Sequence, residues 1–167
     1  MAYCESFKPR VCKKSRILIL GSMPGVKSLE EQEYYAHPQN RFWKLAGLLC
    51  KCENMTDLKY EEKINTFLKS GFALWDVIKF CKREGSLDSN IFDEVPNDIP
   101  SLLEKYPNIK TICFNGNKAF CAFKKYYSDV LDTFCCRMLP STSPANAGYT
   151  LEKLYSVWSA AVFLRGL

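Results

Sequence analysis

No apolar run in this sequence of 167 residues approaches the roughly 20 needed to cross a bilayer. A membrane-spanning protein is thereby excluded, and a soluble one is the expectation. The basic-then-apolar opening of a secretion signal is missing too. The nine cysteines contain no CxxC pair; Cys50/Cys52 and Cys135/Cys136 are the nearest neighbours. A zinc ribbon is therefore disfavoured, and a disulfide framework does not suit a chain without an export signal. The cysteines read as reduced, mostly buried small hydrophobes in a reducing, cytoplasmic setting, with no metal and no cofactor expected. A GxGxxG spacing and the lysine of a P-loop are also lacking, which weakens any nucleotide-binding reading. No repeat, low-complexity tract or long linker divides the chain, so one domain over residues 1–167 is expected.

What is present is the composition of a packed domain: 47% of the residues are hydrophobic and 14% aromatic, enough for a continuous core. The net charge of +5, from 23 Lys and Arg against 18 Asp and Glu, favours a polyanionic partner without requiring one. Lys8, Arg10, Lys13, Lys14 and Arg16, with the pairs Lys82/Arg83 and Lys124/Lys125, fit a phosphate track and fit solvated helix faces equally well.

Residues 16–21 form an aliphatic run ending at Gly21, the pattern of a strand buried on both faces of a parallel sheet. A polar loop is expected from 22 to 40, then helices over 42–49 and 60–69, the second closed by Gly71. Short strands follow at 72–76, 110–115 and 136–139. Between them lie helices at about 100–105 and 118–127, and a last helix spans about 151–164. This alternation predicts an α/β fold, a three-layer α/β/α sandwich around a mainly parallel four-stranded sheet. In such sheets ligands bind outside the carboxyl ends of the strands. The turn after Gly21, the ends at Asp76 and Asn115, and the loop after Leu139 therefore converge on one crevice.

Gly21-Ser22-Met23-Pro24-Gly25 leaves its strand through two glycines and a proline, a composition that turns the backbone sharply and leaves amides free to meet an acceptor. Alone it is equally a tight turn without a ligand. Two further segments accompany it: Tyr34-Tyr35-Ala36-His37-Pro38-Gln39-Asn40-Arg41-Phe42-Trp43, and Leu139-Pro140-Ser141-Thr142-Ser143-Pro144-Ala145-Asn146. With these three in order, the sequence resembles the uracil-DNA glycosylase superfamily, nearest to its hypoxanthine-DNA glycosylase branch and similar to the mismatch-specific uracil/thymine glycosylases. Those enzymes carry a G-x-x-P-G turn after the first strand, an aromatic ahead of H-P-x-N-R-F-W, and a late x-P-S loop that enters DNA. The resemblance spans roughly residues 17–147.

It implies a monofunctional DNA glycosylase that flips a deaminated base out of duplex DNA and hydrolyses its bond to deoxyribose, leaving an abasic site for base excision repair. Hypoxanthine is the first expectation, with xanthine and uracil behind it. Flipping costs roughly a few kcal/mol, and the resemblance makes Tyr35 the ring that stacks on the base and recovers part of that cost. Base contacts are expected from the amides of Ser22 and Met23 and from Asn115, which is also a plausible turn residue before Gly116. Asn40 is the candidate for positioning the attacking water, since an amide both accepts and donates; it equally suits a helix N-cap ahead of Phe42. Gly25, Pro140, Ser141, Thr142 and Ser143 are the candidate DNA contacts, with the late loop wedging into the minor groove. His37, the lone histidine, fits a phosphate contact, assistance to purine departure, or a structural role beside Pro38.

The sequence departs from the wider superfamily twice. Ser22 and Met23 stand where other branches place Asp, Asn or Glu, so the usual water-activating group is missing there. Leu139 stands where the uracil-specific branch has histidine. The expected chemistry is thus positional and electrostatic, without help from a carboxylate. The expected partner is double-stranded DNA containing a deaminated base, bound by a monomer in the cytoplasm, associated with the nucleoid if the source is bacterial or archaeal. Alternatives are a module that binds damaged or mismatched DNA without cutting it, and a small-molecule hydrolase or nucleotide-binding domain.

Overall fold

The computed structural model describes residues 2–163. In chain order these form β1 (Ala2–Glu5), β2 (Ile17–Gly21), α1 (Val26–Glu31), α2 (Phe42–Cys50), α3 (Tyr60–Lys69), β3 (Phe72–Asp76) and β4 (Ile78–Arg83). They continue with β5 (Phe92–Pro96), α4 (Ile99–Lys105), β6 (Thr111–Asn115), α5 (Asn117–Leu131), β7 (Cys135–Leu139) and α6 (Leu151–Phe163). Among the described residues no helix is long and apolar enough to cross a membrane.

The expected sheet is there: four strands in the order β3-β2-β6-β7, every pairing parallel. β2 takes a central place because it is apolar on both sides; Leu18, Ile19 and Leu20 are wholly buried, each worth roughly 2 kcal/mol relative to exposure. Alternation along the strands splits the core in two. Leu18 and Leu20 join Ile112 and Phe114 in packing against Leu102 and Leu103 of α4 and Phe123 of α5. Ile19 joins Leu74 and Cys113 against Phe42 and Leu45 of α2, Phe67 of α3 and Trp158 of α6. Helices thus cover both faces, the three layers that the alternation of elements predicts.

Three features differ from expectation. A second, antiparallel sheet, ordered β1-β4-β5, adds to the α4/α5 side, where Cys4 and Cys81 pair in register and join the core. Its strands carry no aliphatic run, because only one side is buried; Phe92 and Val95 of β5 are exposed. The segment expected as polar loop contains α1, six residues long with Ser28 buried, too short for a helical period to stand out. α5 runs past the predicted end at Tyr127, which has non-helical angles (φ −136°, ψ 42°), so the sequence signal stops at a real kink. The predicted end of the last helix, Leu164, lies outside the described residues.

Register places the crevice. Gly21 pairs with Asp76 across β2 and β3, and Asn115 pairs with Leu139 across β6 and β7. Four strand ends therefore open on the same side, at the edge where ligand sites of open parallel sheets form.

Candidate active site

A cavity of about 620 Å³ occupies that edge, lined by the turn from Gly21 to Gly25, by Tyr35, His37 and Asn40, by Asp76 and Asn115, and by residues 86–89 and 141–146. Every candidate catalytic, base-contacting or DNA-contacting residue of the three motif segments and of Asn115 lines it except Pro140, whereas none of the basic residues considered as a phosphate track does. Pro140 sits behind the wall, its carbonyl accepting a hydrogen bond from the Trp158 indole at 3.0 Å.

The turn is held against the start of β4: the carbonyls of Gly21 and Ser22 accept from Val77 and Ile78 N–H at 2.9 and 3.1 Å. Arg83, buried on β4, donates to the Pro24 carbonyl. Gly21 has to be glycine here. A Cβ would lie 2.5 Å from Asp76 Oδ1 and 3.1 Å from the Tyr35 hydroxyl, inside contact distance of two buried polar groups. Ser22 Oγ donates to Asp88 Oδ1 at 2.5 Å, and Ser86 Oγ accepts from Val26 N–H at 2.8 Å. Together these bonds fold the 84–90 loop over the turn. Met23 is buried, its side chain joining the core on the α4/α5 side.

Tyr35 has a left-handed backbone, φ 55°, a conformation that costs a non-glycine residue of the order of 1 kcal/mol and needs support from its surroundings. Both neighbours supply it. Tyr34 N–H donates to the Tyr60 hydroxyl at 3.1 Å, the Tyr34 carbonyl accepts from the Trp43 indole at 2.9 Å, and Ala36 N–H donates to Ser28 Oγ at 3.1 Å. The Tyr35 ring is thereby laid flat on Phe42, with centroids 4.0 Å apart and 18° between planes. With Phe42 behind it, its other face is left to the cavity it lines. Burial and the nearby Asp76 raise the pKa of its hydroxyl, so the phenol stays neutral.

Asn40 Oδ1 accepts from Phe42 N–H at 2.9 Å, although the N-cap of α2 is the next residue, Arg41, and no side chain caps the helix. That bond fixes the amide plane and leaves the second lone pair and the Nδ2 hydrogens to the cavity it lines. His37 stands at the mouth, with Nδ1 accepting from Gln39 N–H at 3.1 Å and its carbonyl accepting from Asn40 N–H at 2.9 Å.

The late loop is built differently from the expectation of a surface wedge. Thr142, read as a DNA contact, is wholly buried, its hydroxyl accepting from Asn115 Nδ2 at 3.0 Å and its N–H donating to Asn115 Oδ1 at 2.9 Å. This is a correction: a side chain enclosed in this way organises the loop rather than touching DNA. Asn115 correspondingly spends both ends of its amide on Thr142. Gly116 (φ 100°) lets the loop approach, since a Cβ there would lie 3.1 Å from the Ser141 Cβ. Ser141 and Ser143 Oγ accept from Ser143 N–H and Ala145 N–H at 3.1 and 3.2 Å, leaving each hydroxyl hydrogen available to a phosphate.

Sequence reasoning gave Arg41 no role, yet it ties the loop down. Its guanidinium donates to the carbonyls of Thr142 (3.3 Å), Ser143 (2.6 Å) and Asn146 (3.0 Å), and to that of Tyr149. Backbone acceptors a hundred positions away leave no trace in a motif. The other residue outside the candidate set is Asp76, a strand end at the crevice that by its type can orient a base edge or a water, or cap the next helix. It is 3% exposed, lines the cavity, and has one buried oxygen, Oδ2, with no hydrogen-bond partner among the described residues. Burial, reinforced by the charge of Asp88 and opposed by Arg83, pushes its pKa up to about 7. A carboxyl group thus lines the cavity, at the strand end that converges on it, although none stands in the turn at Ser22 and Met23. Among the described residues no cluster of three or more His, Cys, Asp or Glu is placed to hold a metal ion.

The cavity combines a supported aromatic face, a fixed carboxamide, a glycine turn with its amides, and a buried carboxyl group whose pKa is raised. Such a set suits binding a flat heterocycle and polarising a bond to it. A family model described as the uracil DNA glycosylase superfamily matches residues 9–162. The chain is 41% identical over 150 residues to a hypoxanthine DNA glycosylase of Methanosarcina acetivorans, covering 89% of this chain and 90% of that protein. It is 38% identical over 159 residues to a hypoxanthine DNA glycosylase of Methanosarcina barkeri, covering 94% and 96%. The fold is similar to the solution NMR structure of a candidate uracil DNA glycosylase from Methanosarcina acetivorans: TM-score 0.79, 34% identity, 96% of this chain and 99% of that one.

Proposed function

The chain belongs to the uracil DNA glycosylase superfamily, and on that premise we propose that it removes hypoxanthine, ahead of xanthine or uracil, from double-stranded DNA by hydrolysis, leaving an abasic site. It is a DNA glycosylase acting on deaminated bases, a hydrolase of N-glycosyl bonds with DNA as substrate. The observation that carries the hypoxanthine reading is the meeting of Tyr35, Asn40 and the Gly21 turn in one cavity, within a chain so similar to two proteins of that name.

A stacked and paired base cannot be reached at its glycosidic bond, so the nucleotide rotates into the cavity. The Tyr35 ring, backed by Phe42, stacks on it and contributes about 1–3 kcal/mol towards the unstacking. As the C1′–N bond lengthens, positive charge grows on the sugar and negative charge on the base. The amides of Ser22 and Met23 face the second, as donors prepared before the reaction begins. Asn40, oriented by Phe42 N–H, holds the water near C1′; it is too weak a base to ionise that water, so its contribution is geometric. Gly25, Ser141 and Ser143 meet the DNA backbone at the rim, on a loop that Arg41 and Asn115 keep in place. The protein acts on DNA as a monomer in this reading.

The test is a set of duplexes carrying deoxyinosine, deoxyxanthosine or deoxyuridine, scored for alkali-labile strand breaks. The expected result is breakage at deoxyinosine above the other two. Intact strands with retained binding would instead identify a damage-recognition module that does not cut.

A further inference from the structure

Asp76 has no place in the chemistry derived so far, and its setting is costly. A carboxyl group that is 3% exposed and leaves Oδ2 without a partner forfeits hydration and gains no hydrogen bond in return. Its other oxygen lies against the Cα of Gly21, where a Cβ would come within 2.5 Å. This places the group at the floor of the cavity, between the turn and the Tyr35 hydroxyl. Resting on the glycosylase reading, we propose that Asp76 is a further catalytic residue: a neutral carboxylic acid that hydrogen-bonds a ring nitrogen of the flipped purine and protonates it as the bond to C1′ breaks.

The step balances. The electron pair of the C1′–N9 bond goes to the purine, the Asp76 proton goes to a basic ring nitrogen, and the base leaves neutral. Water adds to C1′ and releases one proton, which restores the acid through solvent. Hypoxanthine offers N3 and N7 as acceptors and xanthine offers N7, whereas uracil has no unprotonated ring nitrogen apart from the one bonded to the sugar. The acid therefore assists hypoxanthine or xanthine and has little to give a pyrimidine, which names purines as the substrate class this floor serves.

The surroundings favour the protonated form. Asp88, from the 84–90 loop, brings a like charge; Arg83 of β4 opposes it but is directed to the Pro24 carbonyl. The Tyr35 hydroxyl, which borders the same space at Gly21, belongs to a phenol whose own ionisation is suppressed, and the Tyr34 hydroxyl is engaged with the Lys8 carbonyl. Asn115 of β6 is neutral and engaged with Thr142. The carboxyl accordingly titrates at about 7, close to the value at which a general acid is most effective at neutral pH.

Single-turnover excision of deoxyinosine from a duplex, followed from about pH 5.5 to about pH 8.5 in the wild type and in Asp76→Asn, tests this. The wild-type rate is expected to be level in acid and to fall about tenfold per pH unit above pH 7. The variant, its fold checked by thermal melting, is expected to be about 10²–10⁴-fold slower in acid and to lose the alkaline limb. A variant that keeps the wild-type rate and limb overturns the role of Asp76 while leaving the glycosylase reading intact. Should the variant not fold, a wild-type rate independent of pH across this range overturns it equally. A wild type that leaves deoxyinosine uncut removes the glycosylase reading, and this inference with it.

Discussion

Asp76 and Asn115 end the two strands that flank β2, and their side chains meet opposite fates. Asn115 gives both ends of its amide to Thr142, at 3.0 and 2.9 Å. Asp76, lining the same cavity, keeps one oxygen buried and without a partner among the described residues. The two bonds hold the Asn115 amide in one orientation and with it the loop that the ligand meets. An unsatisfied buried group carries a desolvation cost that a bound base can relieve. Equivalent positions in the topology thus divide into a scaffold side and a reacting side, and the hydrogen-bond inventory tells them apart.

Beside the loss of rate expected of Asp76→Asn, the largest effect of perturbing the reacting side belongs to Asn40. Asn40→Ala removes the water-positioning amide and should slow single-turnover excision of deoxyinosine about 10²–10³-fold. The same change strips Phe42 N–H of its acceptor, costing about 1 kcal/mol of stability by denaturant titration. A loss of stability with the rate preserved would reduce Asn40 to a structural role.

Next in size is the effect of Asp76 on stability. Its carboxyl titrates near 7 in the fold and near 4 when unfolded, so the folded state binds the proton more tightly. Stability associated with this group is therefore complete below about pH 4 and is lost as pH rises through 7. Asp76→Asn should melt at a higher temperature than the wild type at pH 8, and this advantage should vanish towards pH 4. An advantage independent of pH would mean that Asp76 is ionised, or neutral, in both states.

On the scaffold side the expected effect is smaller and differs in kind. Asn115→Ala leaves the Thr142 N–H and hydroxyl buried without their partner, a loss of about 1–3 kcal/mol, or roughly 2–4 °C in Tm per kcal/mol. Excision should weaken mainly through poorer DNA binding, with the rate at saturating protein changing less than tenfold. A large fall in that saturated rate would move Asn115 to the reacting side.

The same division explains what could be read in advance. The parallel sheet was legible because β2, β3 and β6 are apolar on both faces, which writes an unbroken apolar signal into short stretches such as residues 17–20 and 112–114. β4 and β5 were not, since they bury one side only and place Asp93 and Glu94 in the middle of a strand. The motif residues that line the cavity were visible as types in order. What they do there was visible less often, because it depends on partners far along the chain: Arg41 on carbonyls from 142 to 149, Thr142 on Asn115. A small polar residue in a Ser-rich loop looks solvent-facing until its partner is known. Asp76 was named as a strand end, but the missing partner that makes it reactive is a property of the folded neighbourhood.

The most direct test of the cavity is to see what fills it. Amide chemical shifts of the Asn40→Ala variant, bound to an undamaged duplex and to the same duplex with one deoxyinosine, report the difference made by the damaged base alone. The differences are expected at Gly21, Ser22, Met23, Tyr35 and Asn115. Differences confined to the opposite end of the sheet, where Lys13, Lys14, Arg16 and Lys69 gather, or no differences at all, would contradict base capture in this cavity.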